Sequence, residues 1–207
     1  MSEFIIVVKF LTKRVLSIDA IIHTFNPLWR SKHGFEVRNA SDHIMLFLFS
    51  DKEEVDKILE AEPWSFGRHI VLLQRYDKKV PIRELVFNQV AIWIQIHDIP
   101  APYMTREVAE DLCGNAGIVD KTTHLSEMVG GSFMRVQVVI DVSLPLCRGR
   151  LISFDEGEER WVSFKYERLP NMCYRCGCLN HSDKDCDWWI ESDGSLKDED
   201  KEYGPWI

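Results

Sequence analysis

The chain opens on an apolar run, Phe4-Ile-Ile-Val-Val-Lys-Phe10, whose brevity and β-branched residues predict a strand. The period then changes. Ile18, Ile21, Ile22 and Phe25 recur at helical spacing behind Ser17, which predicts a capped helix with Pro27 as its stop. Residues 35–37 and 42–49 return to strand patterning around a turn at 39–42. Ser50-Asp-Lys-Glu53 has the spacing of a capping box and precedes a second helix carrying Val55, Ile58 and Leu59, which ends before Pro63. A strand over 68–76, built on Ile70-Val-Leu-Leu73, completes the set.

The resulting order, β-α-β-β-α-β, is the ferredoxin-like arrangement that RNA-recognition domains use. The expected class is therefore α+β, with a ferredoxin-like unit over residues 1–80. The aromatic signature of RNA-recognition domains is missing from the third strand. That strand carries Ile44, Leu46 and Leu48 on one face and Met45, Phe47 and Phe49 on the other. A strand apolar on both faces is buried on both, which argues against Phe47 and Phe49 as base-stacking platforms.

After the polar joint Lys78-Lys79, a second strand-rich α+β region is expected over 81–170. Val90, Ile92, Ile94 and Ile96 alternate with Ala91, Trp93 and Gln95. Pro100 and Pro102 turn the chain, Thr105 caps a helix with Val108, Ala109 and Leu112 inward, and Gly114 closes it. Strands are expected over 118–121, 133–142, 150–154 and 159–166, with turns at Gly130-Gly131 and at 155–158. This second region is the candidate cover for the first sheet.

A length of 207 residues suits one large domain or two small ones, and 45% hydrophobic with 28% charged residues excludes wholesale disorder. No apolar run approaches the roughly 20 residues of a membrane span. The N-terminus lacks a signal-peptide layout, so a reducing intracellular compartment is expected, with nucleus and cytoplasm undivided. The net charge of −8 cuts against a dedicated duplex-DNA binder. The acid is concentrated late: residues 1–80 hold 12 basic and 11 acidic residues, residues 81–170 hold 9 and 13, and residues 171–207 hold 4 and 9. Within the acidic tail at 188–207, residues 191–205 read as a solvated, mobile end.

Four of the six cysteines fall within fourteen residues. Cys173, Cys176, His181 and Cys186 form C-x2-C-x4-H-x4-C, the spacing of a zinc knuckle over residues 171–187. Three thiolates and one imidazole close a tetrahedral shell around one structural Zn2+ and leave no position for an activated water. Gly177 permits close backbone approach and Asn180 is expected to take a left-handed backbone. So short a loop cannot bury a core, so the metal is expected to supply its folding energy, on the order of 10–16 kcal/mol. Cys178 reads as a spare thiol, and Cys113 and Cys147 as packing residues.

A longer succession accompanies these ligands. Trp93-Ile-Gln-Ile-His-Asp-Ile-Pro100, Ile118-Val-Asp120, Arg135-Val-Gln-Val-Val-Ile-Asp141-Val-Ser-Leu-Pro145 and Lys165-Tyr-Glu167-Arg-Leu-Pro170-Asn-Met-Cys173 follow in order, with Glu62-Pro-Trp64 upstream. This resembles plant proteins derived from non-LTR retrotransposons, in which an N-terminal domain of unknown function precedes a CCHC knuckle. The resemblance runs over roughly residues 1–187 and is most specific from Val136 to Cys186. It implies a gag-like, nucleic-acid-binding role and no reaction. Asn180 stands where such proteins often place Gly, and Asp183, Asp185 and Asp187 crowd the loop with negative charge.

A knuckle binds unpaired bases by stacking and edge hydrogen bonds, so single-stranded nucleic acid, RNA ahead of DNA, is the expected partner. Tyr174 and Leu179 are the candidates for its apolar cleft, and Arg175 and Lys184 for meeting phosphates or stacking. Trp188 and Trp189 either extend the platform or pack inward. The alternative is a protein–protein or self-assembly module in which zinc only staples the chain. No hydrolase elbow, phosphate loop, zincin motif or dinucleotide fingerprint appears, so no enzymatic activity, small-molecule substrate or membrane partner is expected. His97-Asp98 lies on a strand, where neighbours point to opposite faces.

Overall fold

The computed structural model describes residues 4–153, 157–193, 195, 197, 199 and 201–207, in two compact units, residues 1–90 and 91–207. The first unit contains β1 (Phe4–Phe10), α1 (Ile18–Trp29), β2 (Glu36–Ser41), β3 (Ile44–Phe49), α2 (Lys52–Glu60), β4 (Trp64–Phe66) and β5 (His69–Tyr76). Its sheet runs β2-β3-β1-β5-β4, with β1 central and antiparallel to both β3 and β5. This is the ferredoxin-like order with one added edge strand. The face carrying Ile6, Val8, Phe10, Phe47, Phe49, Val71 and Leu73 packs with Ile21, Phe25 and Trp29 of α1 and Val55 and Ile58 of α2. Aromatic rings knit this core: Phe25 lies 4.5 Å from Trp29, and Trp29 lies 4.9 Å from Phe47. Phe47 and Phe49 are buried here and offer no surface to a base. Ile5, Val7, Leu48, Ile70 and Leu72 on the opposite face are buried as well.

Several local expectations are corrected. Pro27 does not stop α1, which runs on to Trp29 and ends on Arg30 in a left-handed conformation, the Arg30 N–H bonding Asn26 O at 3.1 Å. A proline so near the C-terminal end disturbs one helical hydrogen bond, and burying Trp29 outweighs that loss. The cap of α2 is Asp51, not Ser50: the Asp51 carboxylate accepts from Glu53 N–H at 2.8 Å. The β2–β3 turn falls at Asp42-His43, with His43 at φ 56. The added strand β4 forms a hairpin with β5 across Gly67-Arg68, both at positive φ.

The second unit holds β6 (Gln89–His97), α3 (Arg106–Cys113), β7 (Ile118–Val119), α4 (Leu125–Met128), β8 (Met134–Asp141), β9 (Gly149–Ser153), β10 (Glu159–Tyr166) and α5 (Asp187–Glu191). The first residues of β6 precede the division between units. The sheet order is β7-β8-β6-β10-β9. Alternation is strict on β6 and β8: Val90, Ile92, Ile94 and Ile96, with Val136, Val138 and Ile140, form one buried face, and α3 and α4 pack against β8. Thr105 caps α3 as expected, accepting from Val108 N–H at 3.3 Å. The expected end of the strand at Phe154 and the turn at 155–156 lie outside the described residues. Among the described residues no helix is long and apolar enough to cross a membrane.

Candidate metal centre

β8 ends at Asp141 and β10 at Tyr166, and the cysteine-rich loop follows β10 in the same unit. Gly177 N–H donates to Cys173 O at 2.8 Å, and Cys173 N–H donates to Cys178 O at 2.9 Å. These bonds fold Cys173–Cys176 into a tight turn that aims both thiols the same way. Gly177 adopts φ 78, a conformation that favours glycine, and so allows the chain to reverse immediately after the second ligand. A turn of 3-10 helix at Asp183–Asp185 then brings Cys186 back to the same point.

The ligand atoms of Cys173, Cys176, His181 and Cys186 all lie within 4.8 Å of one another, and Cys176 Sγ is 3.2 Å from His181 Nε2. Zn–S bonds of about 2.3 Å and Zn–N bonds of about 2.0 Å give tetrahedral edges of roughly 3.5–3.8 Å, so this donor set fits one zinc ion. Burial pushes the Cys173 thiol up and the Cys176 thiol up to about 11. A bound cation reverses that preference by stabilising thiolate directly. Cys178 is buried but stands outside this set, its thiol facing Ser143 O at 3.4 Å.

Besides its metal ligands, the loop is tied to the body of the unit. Leu179 N–H donates to Val142 O and Leu146 N–H to Gly177 O, both at 3.0 Å. Leu179 itself is only 3% exposed. The side chain assigned to an open cleft is therefore spent on anchoring the loop behind β8. Asn180 is likewise corrected: it is not among the positive-φ residues, and its Oδ1 instead lies 2.7 Å from His181 Nδ1.

Tyr174 is half-buried, its N–H donating to Asp183 Oδ1 at 2.6 Å. The Arg175 guanidinium lies 3.5 Å over the Trp189 ring, so the two tryptophans divide: Trp189 stacks while Trp188 is 66% exposed. Lys184 is exposed. Asp183 is partly neutralised by Lys201 at 3.6 Å.

The tail is not wholly solvated. Positions 194, 196, 198 and 200 lie outside the described residues, but Tyr203 is 7% exposed. Tyr203 N–H donates to Tyr174 O at 3.3 Å, and its ring covers Gly177, where a Cβ would stand 2.3 Å from it. Arg148 reaches both Glu202, at 3.1 Å to its carbonyl, and the Tyr203 ring. Sequence reasoning missed Arg148, Lys201 and Tyr203. The apolar cluster Tyr203-Gly-Pro-Trp206 directly after an acidic run was the available signal.

The fold and this centre define an α+β protein with a zinc knuckle built into its second unit. Comparison with known proteins agrees: residues 2–84 match a family described as a domain of unknown function, DUF4283, and residues 140–188 match one described as a zinc knuckle. The chain therefore carries a DUF4283 domain followed by a CCHC-type zinc knuckle. It is 28% identical over 130 residues to the "Uncharacterized protein At4g02000" of Arabidopsis thaliana, a stretch covering 62% of this chain and 41% of that protein. The chain thus aligns with less than half the length of that relative. No solved structure matches.

Proposed function

We propose that this chain is a zinc-dependent binder of single-stranded nucleic acid, RNA ahead of DNA, of retrotransposon gag-like origin. The observation that carries this reading is the closed Cys173–Cys176–His181–Cys186 set flanked by Tyr174, Arg175 and Lys184. A full coordination shell leaves the ion as scaffold, so no reaction is assigned. In this reading a base stacks on Tyr174 or on the exposed Trp188, while Arg175 and Lys184 meet phosphates. Leu179 braces the loop from behind. Binding is weak, about micromolar or weaker, because few cations take part, and it fades with salt because each phosphate contact is driven by counterion release. Titration of the full chain with a fluorescent single-stranded RNA at low salt tests it: binding that disappears with chelator supports the reading, and no zinc-dependent binding refutes it.

A protein–protein role has its own support in Trp188, Ile190 and Trp206, all more than half exposed on an acidic chain. Tyr174→Ala with zinc retained separates the two. Lost RNA binding favours the first, and unchanged RNA binding with lost self-association favours the second.

A further inference from the structure

Zinc accepts a neutral imidazole through a nitrogen that carries no proton, so a histidine ligand must hold its proton on the other nitrogen. In His181 the nitrogen nearest the thiols is Nε2, 3.2 Å from Cys176 Sγ. Its partner Nδ1 lies 2.7 Å from Asn180 Oδ1, an oxygen that can only accept. The proton between them belongs to Nδ1, which leaves Nε2 bare and turned toward the ligand set.

We infer that Asn180 is a positioning residue of the metal centre: its side-chain carbonyl fixes the tautomer and the ring orientation of His181 before the ion arrives. Two further observations fit. Asn180 has no left-handed backbone, so conformational tolerance does not explain an asparagine there. Its side chain is exposed, so packing does not explain it either. Carboxylates and backbone carbonyls are the common partners for a ligating histidine's second nitrogen. Here the neighbouring residue supplies that partner, and a glycine at this position would have no side chain to offer.

The test is zinc affinity of the full chain, measured by competition with a chromophoric chelator, together with the nitrogen-15 pattern of the His181 ring in the zinc-loaded protein. Asn180→Ala is expected to lose about 10–100-fold in zinc affinity. Asn180→Asp, whose carboxylate accepts the same proton, is expected to restore it. The wild-type ring should show a protonated Nδ1 and a coordinated Nε2. The melting of the zinc-free protein should be the same in all three chains, which a merely structural role would not predict. An Asn180→Ala affinity within twofold of wild type, an Asn180→Asp as weak as the alanine variant, or a ring coordinated through Nδ1 would each overturn the assignment. These measurements do not involve RNA, so they stand or fall apart from the proposed function.

Discussion

Replacing Gly177 by alanine perturbs the metal centre in two separable ways. The residue sits at φ 78, where a Cβ crowds the following carbonyl at a cost of about 1–2 kcal/mol. The same Cβ would stand 2.3 Å from the Tyr203 ring, well inside contact distance, so the ring must shift from its seat. Tyr203 is a nearly buried aromatic, and exposing such a side chain forfeits roughly 1.5–3 kcal/mol of transfer free energy. Because a zinc loop's binding free energy is coupled to its folding, both costs appear in apparent zinc affinity. The backbone part alone predicts a loss of about 5–30-fold. A double-mutant cycle with Tyr203→Ala partitions the total: in the alanine-203 background Gly177→Ala should retain only the backbone part, with the difference appearing as a coupling of the two sites. Chelator competition on the four chains, with thermal melts of the zinc-loaded forms, measures both. Additive effects would refute the packing of the tail on the loop, and a Gly177→Ala chain as tight as wild type would refute the local geometry itself.

Four further outcomes are expected. Asp51→Ala should cost about 1 kcal/mol in a denaturation of the chain while Ser50→Ala stays within about 0.5 kcal/mol, because only the first side chain caps α2. Pro27→Ala should raise the melting temperature, since it restores a helical hydrogen bond near the end of α1 and removes a residue costing up to about 3 kcal/mol in a helix interior; a lower melting temperature would contradict the packing described. Burial pushes the Cys113 thiol up to about 12, so it should resist alkylation at pH 8 in the native state, and stability should fall as pH rises from about 9 toward 12 because the unfolded thiol ionises first. Chelation should raise amide exchange over residues 173–186 most and leave the exchange of β1 and β6 unchanged, because those strands draw on apolar burial and not on the ion.

The elements most legible in the sequence are those whose pattern has one physical reading. The runs at 4–10 and 159–166 coincide with β1 and β10, and the alternation of Val90, Ile92, Ile94 and Ile96 is the buried face of β6. Caps at Ser17 and Thr105 were legible because a hydroxyl followed by helical spacing has few other uses. The four zinc ligands were legible because that spacing of three thiols and an imidazole suits little else. What failed was decided elsewhere in space. Pro27 is a local stop signal overruled by Trp29 in the aromatic core. β4 is three residues long and exists through its hairpin with β5. Leu179 looks like a cleft residue in its own loop and is claimed by Val142 some 37 positions upstream. Asn180 carried two possible meanings, backbone and side chain, and only its neighbour's ring nitrogen distinguishes them.

The seal formed by Tyr203 on Gly177 imposes an order on biosynthesis. Tyr203 stands seventeen positions after Cys186, so the last ligand is polymerised about 1–3 s before the ring that covers the loop. The nascent chain therefore passes through an interval in which all four ligands have been made while Gly177 is still bare. Until Tyr203 docks, the loop is open at Gly177, and docking of the aromatic ring closes that side.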